Sequence, residues 1–161
     1  MSNYTGPGIY MIIPMHSKEM CLDIWCGSTD PGTPVKLYNN GNSGGLNQTF
    51  EIVAAGGKGG NPEVGDREYH ILGVNSGLML CAPDNGSTEV CVMASRPVKN
   101  LSTRWTLVPL ENGAFNIINA HASNAALSVR GGGRGSGTDL MIAPRSAGVL
   151  YQQFELKRPT V

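Results

Sequence analysis

The chain has 161 residues, enough for one domain with a buried core, and 40% of them are hydrophobic, which excludes a disordered chain. Twelve basic residues balance twelve acidic ones and only 15% of residues are charged, so the basic excess of a general nucleic-acid or polyanion binder is missing. Twenty-two glycines and ten prolines favour short strands and tight turns over long helices.

The opening stretch, Met1 to Gly8, carries neither a basic head nor an apolar run, so it does not read as a signal peptide, and the expected location is cytoplasmic. No segment approaches the roughly 20 apolar residues of a membrane-spanning helix. Strand-like runs then follow near 8–14, 20–25, 34–38 and 49–54. A second set falls near 68–74, 78–82, 89–93 and 104–108, and a third near 114–119, 126–130, 139–143 and 152–157. No stretch shows a sustained 3.6-residue period. The three sets begin alike, with Tyr10, Tyr69 and Phe115 leading apolar strands, and end alike, with Phe50, Trp105 and Phe154 two residues after a polar side chain. The closing aromatics are separated by 55 and then 49 residues, which marks an internal repeat. The chain therefore reads as one all-β domain over 1–161, built from three four-stranded repeats at about 6–54, 66–109 and 112–157, with pseudo-threefold symmetry. Twelve strands of this size fit a closed barrel capped by hairpins, because closure removes exposed edge strands. Gly-rich segments at 56–62 and 131–137 read as flexible surface loops, with Arg134 a solvated charge.

The first repeat contains Cys21-Leu22-Asp23-Ile24-Trp25-Cys26-Gly27, then Gly32-Thr33-Pro34-Val35-Lys36-Leu37-Tyr38-Asn39-Asn40, then Asn47-Gln48-Thr49-Phe50. This order resembles the ricin B-type (R-type) lectin pattern, L-D-V followed by G-T-x-V-x-L-aromatic and N-Q-x-W, and is most similar to single-domain fungal lectins of the Sclerotinia agglutinin group. The resemblance implies a β-trefoil fold and a carbohydrate site. Carried over by position, Asp23 matches the sugar-binding aspartate and Tyr38 the aromatic that stacks on the pyranose. Lys36 matches a polar wall residue, Asn47 the asparagine that bonds a ring hydroxyl, and Gln48 a glutamine supporting the pocket from behind. Gly27 and Asn40, in the flanking turns, complete the candidate set. Phe50 stands where the family usually has Trp, at a core position, and Tyr38 replaces a frequent Trp.

The chemistry of these side chains suits that role. An ionised carboxylate accepts hydrogen bonds from two adjacent hydroxyls at once, and charge-assisted bonds are the stronger kind. Galactose pairs an axial 4-hydroxyl with an equatorial 3-hydroxyl, so galactose or N-acetylgalactosamine is the ligand the family implies. Taken singly, each residue has a plainer reading: Asp23 as a turn aspartate, Tyr38 as a strand aromatic, Asn47 and Gln48 as loop residues. The case rests on their arriving together in family order. Trp25 reads either as a wall for a second sugar or as core.

The other two repeats lack the set. Aligned by pattern, Cys81 takes the place of Asp23, Met93 that of Tyr38, and Leu101-Ser102, with one residue of slack, that of Asn47-Gln48. In the third repeat Ser128 takes the aspartate position and Ala143 the aromatic one, and Gln152 keeps the supporting glutamine. Both copies are expected to be scaffold, with Leu78, Leu80, Leu127, Val129, Leu140 and Ile142 in a shared core.

Cys21, Cys26, Cys81 and Cys91 form no CxxC pair, so they are expected to be reduced thiols, a Cys81–Cys91 bridge being the main exception. His16, His70 and His121 sit in unlike contexts, no HExxH or G-x-S-x-G motif occurs, and the glycines at 131–135 lack a βαβ setting. No clustered acidic loop suggests calcium. No enzymatic activity, metal or cofactor is expected. N-x-S/T sequons occur at Asn3, Asn47, Asn85 and Asn100; glycosylating Asn47 would block the site. One small polar pocket per chain binds weakly, so a homodimer is the expected route to avidity. The expected function is a lectin for terminal galactose or N-acetylgalactosamine glycans, with no nucleic-acid partner and no membrane insertion. The alternatives are a β-trefoil protease inhibitor presenting the 56–67 or 131–137 loop, and a carbohydrate-binding module detached from a glycosidase.

Overall fold

The computed structural model describes residues 4–41, 45–61, 66–84, 87, 89–122 and 124–159; Asn3 and Asn85, two of the four sequon asparagines, lie outside them. The first repeat supplies β1 (Gly8–Pro14), β2 (Met20–Ile24), β3 (Val35–Asn39) and β4 (Phe50–Ala54). The second supplies β5 (Tyr69–Gly73), β6 (Met79–Cys81), β7 (Val90–Cys91), β8 (Met93–Ser95) and β9 (Trp105–Pro109). The third supplies β10 (Phe115–Asn119), β11 (Ala125–Val129), β12 (Leu140–Pro144) and β13 (Phe154–Lys157). Among the described residues the only helical segments are 3-10 turns of three residues. The repeat period and the glycine and proline content thus read the architecture correctly, with one extra strand.

Six strands close a ring. Antiparallel pairing runs β1 to β4, β4 to β5, β5 to β9, β9 to β10, β10 to β13, and β13 back to β1. Each repeat contributes its first and last strands, and within each the opening aromatic sits opposite the closing one: Tyr10 with Phe50, Tyr69 with Trp105, and Phe115 with Phe154. The closing rings are fully buried at 0% exposure and anchor the core, and the Trp105 indole N–H donates to the Leu80 carbonyl at 3.0 Å. The ring leaves no barrel edge open. This is the β-trefoil architecture.

Three hairpins cap the barrel: β2–β3, β6–β8 and β11–β12. Side chains alternate faces along a strand, so Leu22, Ile24, Val35 and Leu37 point into the core while Cys21, Asp23, Lys36 and Tyr38 share the opposite face. Leu78, Leu80, Leu127, Val129, Leu140 and Ile142 all lie in the core cluster, as the repeats predict. The hairpin of repeat one seats closely on the second repeat: a Cβ on Gly73 would collide with the Ile24 side chain.

The hairpins meet one another through three equivalent bridges, Pro34 with Met93, Cys91 with Met141, and Asp139 with Lys36. These bridges and the hairpin registers fix the threefold correspondence. Lys36 faces Asp23, Met141 faces Ser128, and Met93 faces Cys81. Met93 is therefore the counterpart of Lys36, and Ser95, opposite Met79, stands at the position of Tyr38. This corrects the sequence alignment by two residues. The third strand of repeat two is also broken. Val92 leaves the hairpin ladder to donate to the Leu140 carbonyl at 2.8 Å and accept from the Val35 N–H at 3.1 Å, which splits one expected strand into β7 and β8.

The glycine-rich segments are fastened rather than free. Arg104 donates to the carbonyls of Ala55 and Gly57 and pairs with Glu68 at 2.6 Å, and Glu68 accepts from the Gly59 N–H at 3.1 Å. Gly137 N–H donates to the Leu37 carbonyl at 2.8 Å, and His16 donates through Nε2 to the Gly133 carbonyl at 2.8 Å. Arg134 is exposed, as its loop setting predicts.

All four cysteines are free thiols, and Cys81 and Cys91 are not bridged. Cys21 packs against Met11 and Ile13; burial, reinforced by the Asp23 carboxylate, pushes its thiol up to about 12. Thiol labelling of the native protein should therefore modify the exposed Cys26 and Cys91 and spare the buried Cys21 and Cys81 until denaturant is added; mass spectrometry of the labelled peptides checks this. Phe50→Ala should cost about 3–5 kcal/mol in urea unfolding, the usual cost of removing a buried aromatic.

Candidate functional site

The outward face of β2–β3 carries the candidate residues, and the 3-10 turn Leu46–Gln48 closes over its end. Asp23 is 3% exposed. Its two oxygens are held separately: Asn47 Nδ2 donates to Oδ1 at 3.0 Å and Gln48 Nε2 donates to Oδ2 at 3.0 Å. Gln48, itself buried, also donates to the Asn39 carbonyl at 3.0 Å, so it fastens the carboxylate to the end of β3. Asn47 further approaches the Ile24 carbonyl at 3.4 Å. Each carboxylate oxygen has spare acceptor capacity beyond its single amide partner. Burial raises the Asp23 carboxyl above the ordinary aspartate range, and the hydrogen bonds from Gln48 and Asn47 oppose that rise by favouring the charged form.

Tyr38 is 48% exposed, two residues from Lys36 and on the same strand face. Gly27 lies across from Asn47: a Cβ added to it would stand 3.9 Å from Asn47 Cγ, and its carbonyl accepts from Asn75 Nδ2 at 3.2 Å. Asn40 is placed differently. Its amide donates to the Lys18 carbonyl at 3.0 Å and its N–H to the Glu19 carbonyl at 3.0 Å, which fastens the end of β3 to the turn before β2. The arrangement is an acceptor pair at the base, an amide beside it and an aromatic face at the rim.

Trp25 stands beside this set. Its ring is half-buried and meets Tyr38 edge-on, with centroids 6.1 Å apart and planes at 75°. Lys36 Nζ lies 5.4 Å from the Trp25 ring centroid and 3.5 Å from Asp139 Oδ1. Asp139 belongs to the third repeat; it is part of the site's surroundings that repeat-by-repeat reading missed, because only the inter-hairpin bridge brings it there.

The counterpart places in the other repeats explain their different character. The 3-10 turns Leu46–Gln48, Leu101–Thr103 and Leu150–Gln152 each end two residues before the closing aromatic, so Ser102-Thr103 and Tyr151-Gln152 stand for Asn47-Gln48, correcting the Leu101-Ser102 assignment. In repeat three Gln152 repeats the supporting bond, donating to the Pro144 carbonyl at 3.0 Å, but the Tyr151 ring packs over Gly132 where the pocket would open. In repeat two a cavity of about 520 Å³ persists, lined by Cys81, Asp84, Ser95, Ser102 and His121 among others. Cys81 there faces Ser102 at 3.5 Å, a neutral echo of the Asp23–Asn47 contact. Asp84 is a carboxylate missed by the strand alignment, since it lies beyond β6 and is exposed. Among the described residues no three His, Cys, Asp or Glu side chains are grouped to hold a metal.

Comparison with known proteins supports the fold and the family. Over 145 residues the chain is 27% identical to an agglutinin of Sclerotinia sclerotiorum, covering 87% of this chain and 89% of the relative. The designed threefold-symmetric protein ThreeFoil superposes with a TM-score of 0.79 at 26% identity, covering 95% of this chain and 99% of its own. The Rhizoctonia solani agglutinin shares the fold with a TM-score of 0.78 at 18% identity, covering 97% and 98% of the two chains. Residues 46–143, more than half of the chain, match the family described as ricin-type beta-trefoil lectin domain-like; the span takes in Asn47 and Gln48 and begins after Asp23 and Tyr38. With threefold hairpins, a closed six-stranded barrel and this match, the chain belongs to the ricin-type β-trefoil lectin-like family.

Proposed function

We propose that this protein is a non-enzymatic lectin that binds terminal galactose or N-acetylgalactosamine through one site in the first repeat. The observation that carries the reading is the Asp23 carboxylate, buried yet held by one amide on each oxygen, beside an exposed tyrosine ring. Asp23 accepts the paired 3- and 4-hydroxyls, Asn47 bonds a neighbouring hydroxyl, Tyr38 covers the apolar face of the ring, and Lys36 and Gly27 border the pocket. Gln48 holds the carboxylate from behind, and Asn40 steadies the hairpin end. The lectin-type function of the relatives supports this assignment, and the chemistry of the donor and acceptor set supports galactose configuration. A single shallow site gives weak monovalent binding, so avidity comes from a homodimer that presents two. The proposed location is the cytoplasm, with outside glycans met after release.

A glycan array with wild type and Asp23→Ala tests the reading. Wild-type binding to terminal galactose or N-acetylgalactosamine should fall by about 100-fold or more in the variant, because two hydrogen bonds to a charged group, each contributing about 1.5–3 kcal/mol, are lost. Silence from both proteins sinks the lectin assignment and returns attention to protease inhibition, for which Asp23 is dispensable. Binding that survives the substitution moves the site to the repeat-two cavity. Acidification provides a second check. Sugar binding requires ionised Asp23, whose carboxyl is raised by burial, so affinity should fall as pH drops through a range above that of an exposed aspartate. The same raised group is protonated more readily folded than unfolded, so its contribution to stability grows at low pH and is lost as pH rises. Titration calorimetry and thermal melts across pH should therefore move in opposite directions for this group, as wild type minus Asp23→Ala.

A further inference from the structure

The three inter-hairpin bridges occupy equivalent places, yet they differ in chemistry. Pro34 with Met93 and Cys91 with Met141 carry no charge, whereas Asp139 with Lys36 is an ion pair, its atoms 3.5 Å apart. The fold closes equally well with uncharged partners at two of the three, so the ion pair is not a requirement of the architecture. It stands only where repeat three touches the candidate site. The same holds for Trp25. It opens the 3-10 turn after β2, the turn that Arg130 opens after β11, while Pro83 follows Cys81 at the same spacing in repeat two. An arginine and a proline at the sister positions show that the barrel makes no demand for a buried indole there, and Trp25 is absent from the core cluster.

Three contacts then fix the Trp25 ring. Lys36 Nζ lies 5.4 Å from its centroid, Gly137 of the third repeat lies against its edge, a Cβ there standing 3.6 Å from the indole, and Tyr38 meets it at 75°. Lys36 is in turn held by Asp139, which Arg130 approaches at 3.7 Å from the other side. Gly137 is itself fastened through its N–H to the Leu37 carbonyl. Two aromatic rings at a steep angle form a corner, and two linked pyranoses present two apolar faces that a flat wall could not cover together.

We propose that Trp25, set at an angle beside Tyr38, forms an extended subsite for a second sugar unit, with Asp139 of the third repeat as the positioning residue that sets Trp25 through Lys36. This rests on the galactose reading above. The recognised ligand is then a β- or α-linked disaccharide with a terminal galactose-type residue over Tyr38 and the next residue against Trp25. The chain holds only two tryptophans, and Trp105 is fully buried away from the site, so a sugar-induced change in intrinsic fluorescence reports Trp25.

The test compares galactose with lactose and N-acetyllactosamine by calorimetry and by tryptophan fluorescence, for wild type, Asp23→Ala, Trp25→Ala, Asp139→Asn and Lys36→Met, the last copying the residue of the sister repeats. The wild type should bind at least one disaccharide about tenfold more tightly than galactose, with a fluorescence change larger for the disaccharide. Trp25→Ala should bring the ratio of disaccharide to galactose affinity close to one. Asp139→Asn and Lys36→Met should lower that ratio by about threefold and reduce the fluorescence change, a readout that a merely structural role would not move. A ratio near one in the wild type, or one unmoved by Trp25→Ala while Asp23→Ala still abolishes galactose binding, overturns the subsite and leaves the lectin reading standing. A wild type that binds none of the three sugars overturns both.

Discussion

The antiparallel pairing of the first strand of each repeat with its last, an aromatic set opposite an aromatic in the register, is the constraint on which everything else depends. Tyr10 against Phe50, Tyr69 against Trp105 and Phe115 against Phe154 tie the first strand of each repeat to its last, and three such ties, joined between repeats, close the barrel. With the ring closed, the middle two strands of each repeat have nowhere to go but over its end. There they become hairpins whose inner faces continue the core and whose outer faces are free for chemistry. The site is thus a by-product of closure: an outward strand face, presented three times, of which each copy has been used differently.

Those differences are local. In repeat one a carboxylate is buried and compensated by two amides, an arrangement that keeps a charged acceptor in place at a desolvation cost. In repeat two a thiol and a hydroxyl replace it and leave a cavity without that charge at its base. In repeat three a tyrosine ring takes the place of the asparagine and packs on Gly132. The glutamine of the turn survives in repeats one and three because it bonds a hairpin carbonyl in both, at Asn39 and Pro144, a role independent of any ligand.

Much of this was legible in the sequence. The aromatic period gave the repeats, the glycine and proline spacing gave short strands, and the order of Asp23, Tyr38 and Asn47-Gln48 picked out the face that the structure brings together. What escaped had physical reasons. The alignment that set Met93 against Tyr38 was off by two residues, and a two-residue slip preserves the alternation of inward and outward side chains, so the apolar pattern raised no alarm. Ala94, buried at 0%, is the true core counterpart of Leu37, but an alanine carries too little hydrophobic signal to mark a register. The hairpin of repeat two is also one residue shorter, Cys81 to Met93 spanning 12 positions where Asp23 to Lys36 spans 13. The glycine loops read as flexible because composition cannot show distant partners such as Arg104 and His16. Asp139 was invisible for the same reason: it acts on a residue about a hundred positions away.

The pairing of β1 with β13, Met11 opposite Lys157, joins the two ends of the pattern. The barrel is therefore sealed by its most sequence-distant contact, which loop-closure entropy makes the slowest to find. During ribosomal synthesis β1 and β10 exist before their last neighbour, β13, does, and until it emerges both offer bare backbone along one side. A chain cut short before Phe154 would keep those edges permanently and pair them with other chains. The symmetry that makes the finished molecule closed on all sides makes the unfinished one prone to self-association.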